Sequence, residues 1–222
     1  MRRQYIIMML LILVSTHAFS ATSTPSVYKT TVTKVELCSS SACSDPIVLG
    51  SGSKEFDIAS VSAQADVGTY LNDFTVTLGR TYTHVRSTIN ATMTTKGTVD
   101  VSGTTCNTVA SPTVAAASAT ATAKTAPSGT LAEMDWVVPD VNGGGDYANL
   151  TQRYNANGIS KTDGASTFTF TVAIVSPYTP KASDTPKVSI KFDVADTLEA
   201  TTSGGACILY LNPPVQTVNI HR

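Results

Sequence analysis

The chain has 222 residues, only 14% of them charged, and a formal net charge of -1. Since globular proteins usually carry about 25% charged residues, its polar surface must rest mainly on Thr, Ser and Asn. No Lys/Arg-rich stretch is present, so the expectation excludes a nucleic-acid-binding face, which needs clustered cations to meet phosphates.

In chain order, Arg2 and Arg3 precede the apolar run IIMMLLILV (Ile6 to Val14), followed by AFSA (Ala18 to Ala21). A short basic region, a compact apolar core and small residues before a cut site form the pattern of a secretory signal. Residues 1–20 are therefore expected to be a signal peptide cleaved after Ser20. The rest, 21–222, is expected to be a single β-sandwich domain in the periplasm, on the cell surface or outside the cell. The apolar run is well short of the roughly 20 residues that span a bilayer. No later run approaches that length, so no transmembrane segment is expected after cleavage.

SVYKTTVTKVELC (Ser26 to Cys38) alternates, with Val27, Thr31, Thr33, Val35 and Leu37 on one face and Tyr28, Thr30, Lys34 and Glu36 on the other. This predicts a half-buried strand. PIVLG (Pro46 to Gly50) and KEFDIAS (Lys54 to Ser60) predict two more strands, joined by a hairpin turn at the SGS between them. In FTVTLGRTYTHVRSTINATMT (Phe74 to Thr94), Gly79 and Arg80 separate a short strand from a long one. Thr81, Thr83, Val85 and Ile89 of the long strand alternate with Tyr82, His84, Arg86 and Thr88. Residues 107–130 are rich in Thr, Ala and Ser and poor in large side chains, which suits an insertion, a weak edge strand or a linker between two small domains. Further strands are expected at Ser166 to Ser176, Lys187 to Val194, Ala206 to Leu211 and Val215 to Ile220. Many short strands punctuated by Gly, Pro, Asn and Asp predict an all-β sandwich.

YKTTVTKVELC, KEFDIAS and LGRTYTHVRSTI, in that order, resemble the strands of a family of uncharacterised secreted bacterial domains. KFDVADTL and PPVQTVNI resemble that family's final strands. The resemblance spans Tyr28 to Ile89, more loosely the C-terminal part, and not the middle. It implies a transthyretin-like, Ig-like sandwich and export, and it implies no catalytic residues.

Four cysteines in an exported chain suggest disulfides. Cys38 and Cys43 are not spaced as a redox Cys-x-x-Cys pair, and Cys106 and Cys207 do not form the second close pair common in zinc sites. Of the three possible connectivities, the expectation is Cys38–Cys43 with Cys106–Cys207.

DVNGGGDYAN (Asp140 to Asn149) offers Asp140, Asn142 and Asp146 as oxygen donors for calcium. However, Thr151 stands where an EF-hand register needs a bidentate carboxylate, and Asp, Asn and Gly also make ordinary turns. Trp136, Tyr147 and Tyr154 flank this loop and suit either a sugar-stacking platform or a core lid. Asn90-Ala-Thr92 and Asn149-Leu-Thr151 match the glycosylation acceptor pattern.

For catalysis the chain lacks G-x-S-x-G, H-E-x-x-H and a phosphate-binding glycine loop. His84 and Arg86 share a strand face without a motif-linked nucleophile, and Asp193, Asp196 and Glu199 read as solvated turn residues. No enzyme activity, metal or cofactor is expected. The leading expectation is a non-enzymatic envelope or cell-surface protein, structural or adhesive, whose partner would be a surface polymer or another copy. The alternative is a carbohydrate- or small-ligand-binding module built on Trp136 and Tyr147.

Overall fold

The computed structural model describes residues 20–60, 75–110, 122–141 and 150–221. Among these the chain is mostly β, with one short helix. The elements begin with β1 (Ser20–Ser23), β2 (Val27–Cys38), β3 (Ile47–Asp57), β4 (Tyr82–Asn90) and β5 (Thr92–Lys96). Next come β6 (Thr98–Val101), β7 (Thr104–Asn107), β8 (Thr122–Thr125), β9 (Met134–Val137) and the helix α1 (Leu150–Ala156). The chain then forms β10 (Ile159–Ser160), β11 (Thr167–Tyr178), β12 (Lys187–Asp193), β13 (Leu198–Ser203), β14 (Ala206–Leu211) and β15 (Val215–His221).

The expected first long strand is β2, but its alternation changes phase. Tyr28, Thr30 and Val32 are buried, the pairing register shifts between Val32 and Lys34, and Val35 and Leu37 are buried beyond the shift. A one-residue slip exchanges the two faces of a strand, so Tyr28 and Thr30 join Val35 and Leu37 on the interior face rather than opposing them. The slip is the extra β2 residue Thr33 against β4, and at the same place β3 forms a bulge instead of the expected SGS hairpin. β3 runs unbroken along β2, with Val32 opposite Lys54 and Lys34 opposite Ser51. Gly52 and Ser53 thus face one residue of β2 as a bulge, and Gly52 takes the φ of +114° that this requires.

No strand forms at 75–77. That segment turns instead, with Arg80 N–H donating to Thr77 O and Gly79 N–H to Pro180 O. β4 and β5 are then one long run beside β2, from Cys38 opposite His84 to Val27 opposite Lys96, interrupted at Ala91. On its other side this run changes neighbour: β4 pairs with β11 and β5 pairs with β9. Ala91 sits at the fork, its N–H donating to Ser166 O (2.8 Å) and its carbonyl accepting from Val138 N–H (2.7 Å). Beyond β11 the sheet continues through β15, met in parallel at Ile174 opposite Val218, to β12.

A second sheet has the order β1-β13-β14-β8, and β6 and β7 form a two-stranded ribbon. Part of the Thr/Ala-rich stretch is the edge strand β8, paired with β14, while residues 111–121 lie outside the described chain. Cys106 on β7 and Cys207 on β14 form a disulfide with Cα atoms 5.6 Å apart, and both residues are fully buried. Val99, Val101, Trp136, Leu198 and Leu209 pack in the cluster that includes it, so the bridge is part of a core. The other disulfide, Cys38–Cys43, closes the loop after β2 with Cα atoms 4.9 Å apart. Thr83 donates to Ser39 O in that loop, and Arg80 reaches Ser39 and Asp45.

Candidate functional site: an apolar cavity at the sheet fork

Where β9 and β11 part at Ala91, side chains do not fill the space, and a cavity of about 90 Å³ remains. Ile89 and Met93, alternating about Ala91, line it from the long run, and Phe168 and Phe170 line it from β11. Trp136 of β9 and Tyr28 and Thr30 of β2 contribute buried surface. Three separate apolar clusters meet here, represented by Phe168, Trp136 and Tyr28 respectively. The rim is the half-exposed segment Leu211, Asn212, Pro213 and Pro214.

One wall is built by the short helix. Leu150 and Tyr154 are its buried residues, and Tyr154 Oη donates to Pro139 O at 2.6 Å. Gly158 ends the helix at φ +67°, the left-handed conformation that glycine adopts freely at helix C-termini. The chain thereby turns into β10, where Ile159 pairs with Phe170. Tyr154, Ile159 and Phe170 all line the cavity.

No charged side chain lines the cavity among the described residues. Its polar atoms differ in how well they are satisfied. Trp136 Nε1 donates to Thr95 Oγ1 at 2.7 Å, and Asn212 is bonded to Arg153 and Glu199. Among the described residues Tyr28 Oη meets only the Met93 thioether, at 3.8 Å, and burial pushes its phenol pKa far upward, keeping it a neutral hydroxyl. Thr30 Oγ1 is buried with no hydrogen-bond partner among the described residues. Buried polar groups are normally paired, so an unpartnered hydroxyl on a residue that lines the cavity stands out.

The sites expected from sequence are mostly placed elsewhere. Trp136 is on a strand and fully buried, with its indole N–H bonded internally. It therefore offers no exposed face for sugar stacking, and it acts as core and cavity wall instead. Tyr147, Asn142, Asp146 and Asn149 lie outside the described residues. Asp140 is engaged at both carboxylate oxygens, by Lys161 and by Gly164 N–H. The Lys161 hydrogen bond, with that from Gly164, holds its pKa below the usual carboxylate range. No group of three or more His, Cys, Asp and Glu suited to a metal occurs among the described residues.

Arg86 is committed to Glu36, and His84 Nδ1 shares a hydrogen bond with Thr83. Asp193 accepts from Ala195 N–H, Asp196 from Thr22 and Glu199 from Asn212. These three carboxylates serve separate local hydrogen bonds. Asn90 ends β4 and is partly exposed.

Sequence reading missed Thr30 because unbroken alternation puts it on the face opposite Val35 and Leu37. The usable signal was local: Tyr28-Lys29-Thr30-Thr31-Val32 alternates well by itself, with a Thr between two large inward side chains. No family model, curated protein or solved structure matches this chain.

Proposed function

We propose that this is an exported, non-enzymatic binding protein of the envelope or cell surface, holding a small apolar ligand in the cavity at the fork. The observation that carries the reading is the aromatic-lined cavity itself, because small-molecule sites are concave, mostly apolar and furnished with few polar groups. Its two disulfides, Cys38–Cys43 and Cys106–Cys207, suit an oxidising compartment. The signal-like N-terminus and the likeness to secreted transthyretin-like or Ig-like sandwich domains support the same reading. No described helix is long and apolar enough to cross a membrane.

A structural or adhesive role through strand addition has less support. Among the described residues, two of the outer strands, β3 and β12, carry a bulge at Gly52 and the lysines Lys54, Lys187 and Lys191. Bulges and edge lysines are features that discourage edge-to-edge pairing.

Trp136 is the sole tryptophan, so its fluorescence reports on the cavity. Titration with methylcyclohexane is expected to change that emission saturably and to raise the melting temperature. A linear or absent response overturns the binding reading. Export is tested separately, because the exported chain should begin at or near Ala21, and one retaining Met1 overturns it.

A further inference from the structure

We infer that the cavity selects an uncharged ligand with an apolar body and a hydroxyl or carbonyl group, which the Thr30 hydroxyl anchors. This inference rests on the binding reading above and specifies its chemistry. Thr30 is a cavity-lining residue, 5% exposed, and its Oγ1 has no partner among the described residues. Valine has nearly the same shape and would fill the position without stranding a polar atom. Threonine there is thus unfavourable in the empty protein and favourable once a ligand supplies the missing hydrogen bond.

Two neighbouring groups strengthen the argument. Tyr28 lies two residues away on the same face of β2, roughly 7 Å along the strand, and among the described residues its hydroxyl has only the Met93 sulfur. Gln216, 7% exposed, has neither amide atom partnered among the described residues; it does not itself line the cavity but is the cross-strand neighbour of Phe192, which does. A lone ordered water wants about three hydrogen bonds, more than the two hydroxyl-bearing residues Thr30 and Tyr28 would supply from this mostly apolar lining. A ligand gains from that carbon surface as well as from the hydroxyls.

Charge and size narrow the class. With no cation or carboxylate among the described lining residues, an ionised headgroup would be buried without compensation. The space of about 90 Å³ is smaller than the roughly 150 Å³ of an engineered cavity that holds benzene. A six-membered ring therefore sits partly in the rim beside Asn212, Pro213 and Pro214.

The test uses the full chain and follows Trp136 fluorescence with four compounds on one ring: cyclohexanol, cyclohexanone, methylcyclohexane and cyclohexanecarboxylate. Replacing Thr30→Val is expected to lower the affinity for cyclohexanol and cyclohexanone, relative to methylcyclohexane, about tenfold. Thr30→Ser should restore most of that ratio. The ligand-free Thr30→Val protein should melt about 2–6 °C higher than the parent, since it loses an unpaired buried hydroxyl. Binding of methylcyclohexane with an unchanged ratio in Thr30→Val overturns the anchor and leaves the binding reading standing. A lower melting temperature for Thr30→Val also overturns it, because the hydroxyl is then already satisfied. Cyclohexanecarboxylate binding as tightly as cyclohexanol overturns the uncharged class. Failure of all four compounds to bind overturns both readings.

Discussion

Arg86 Nε donates to Glu36 Oε2 at 2.8 Å across the β2–β4 pair, where the Glu36 side chain is only 3% exposed. Lys34 adds a second ion pair at 2.9 Å from a side chain 40% exposed. Burial alone would raise the Glu36 pKa, but hydrogen bonds from Arg86 and Lys34 outweigh it and hold the carboxyl below its ordinary value. Replacing Arg86→Met leaves a buried carboxylate with only the partly exposed Lys34. Removing one partner of a buried pair costs about 3–5 kcal/mol. With Lys34 still in place, about 2–4 kcal/mol is expected in urea unfolding, and a loss under 0.5 kcal/mol would show that the pair contributes little.

The same pair sets an acid limb. A carboxyl whose folded pKa is depressed contributes stability above its unfolded pKa and loses that contribution as pH falls through the folded value. The Glu36 contribution should therefore be complete above pH 4.5, the unperturbed value, and decline below it. Glu36→Gln should flatten that part of the stability–pH profile. An identical profile in both proteins would assign the acid limb to other carboxyls.

The two disulfides should differ in what they contribute. Chain-entropy reasoning gives about 2 kcal/mol for a closed loop of this shortness and about 4.7 kcal/mol for one of about 100 residues, the sequence separations being 5 and 101. The double replacement Cys106→Ala with Cys207→Ala should be the more damaging, since it also removes a bridge within a buried cluster. Non-reducing peptide mapping should give one internally linked peptide and one joining Cys106 to Cys207. A Cys38–Cys106 link would contradict the pairing.

Gly158→Ala tests the corner that positions the helix wall. Gly158 has φ +67°, a Cβ there would overlap Thr171 O, and Thr171 N–H donates to Gly158 O at 2.8 Å. Strain and overlap together should cost at least about 2 kcal/mol and weaken cavity binding, since Tyr154 and Ile159 would shift. Gly103→Ala is the control, because φ is also positive there, at +85°, but nothing lies within 4 Å of the added carbon. Equal losses in both variants would assign the effect to backbone conformation alone.

Calcium should leave the melting temperature unchanged, and so should EDTA. Asp140 has both carboxylate oxygens engaged, by Lys161 and by Gly164 N–H, so a cation would have to displace an ammonium already in place. A reproducible calcium-dependent shift would overturn this account of the loop.

Composition and alternation were enough to read the β-rich class from the sequence. β2, β4, β11, β12, β14 and β15 are visible as period-2 runs between turn residues, because a half-buried strand writes its two faces directly into the chain. The cysteine pairing was also within reach of residue type and spacing. What alternation cannot show is where pairing slips. The phase change comes from Thr33, an extra residue of β2 between Val32 opposite Ile89 and Lys34 opposite Thr88 of β4, and it puts Thr30 on the inward face. Nor does the sequence show that β4–β5 exchanges β11 for β9 at Ala91, since the partners lie 39 or more positions downstream. That fork leaves a cavity where three packed clusters meet, and only the tertiary structure places Thr30, buried and unpartnered among the described residues, beside it.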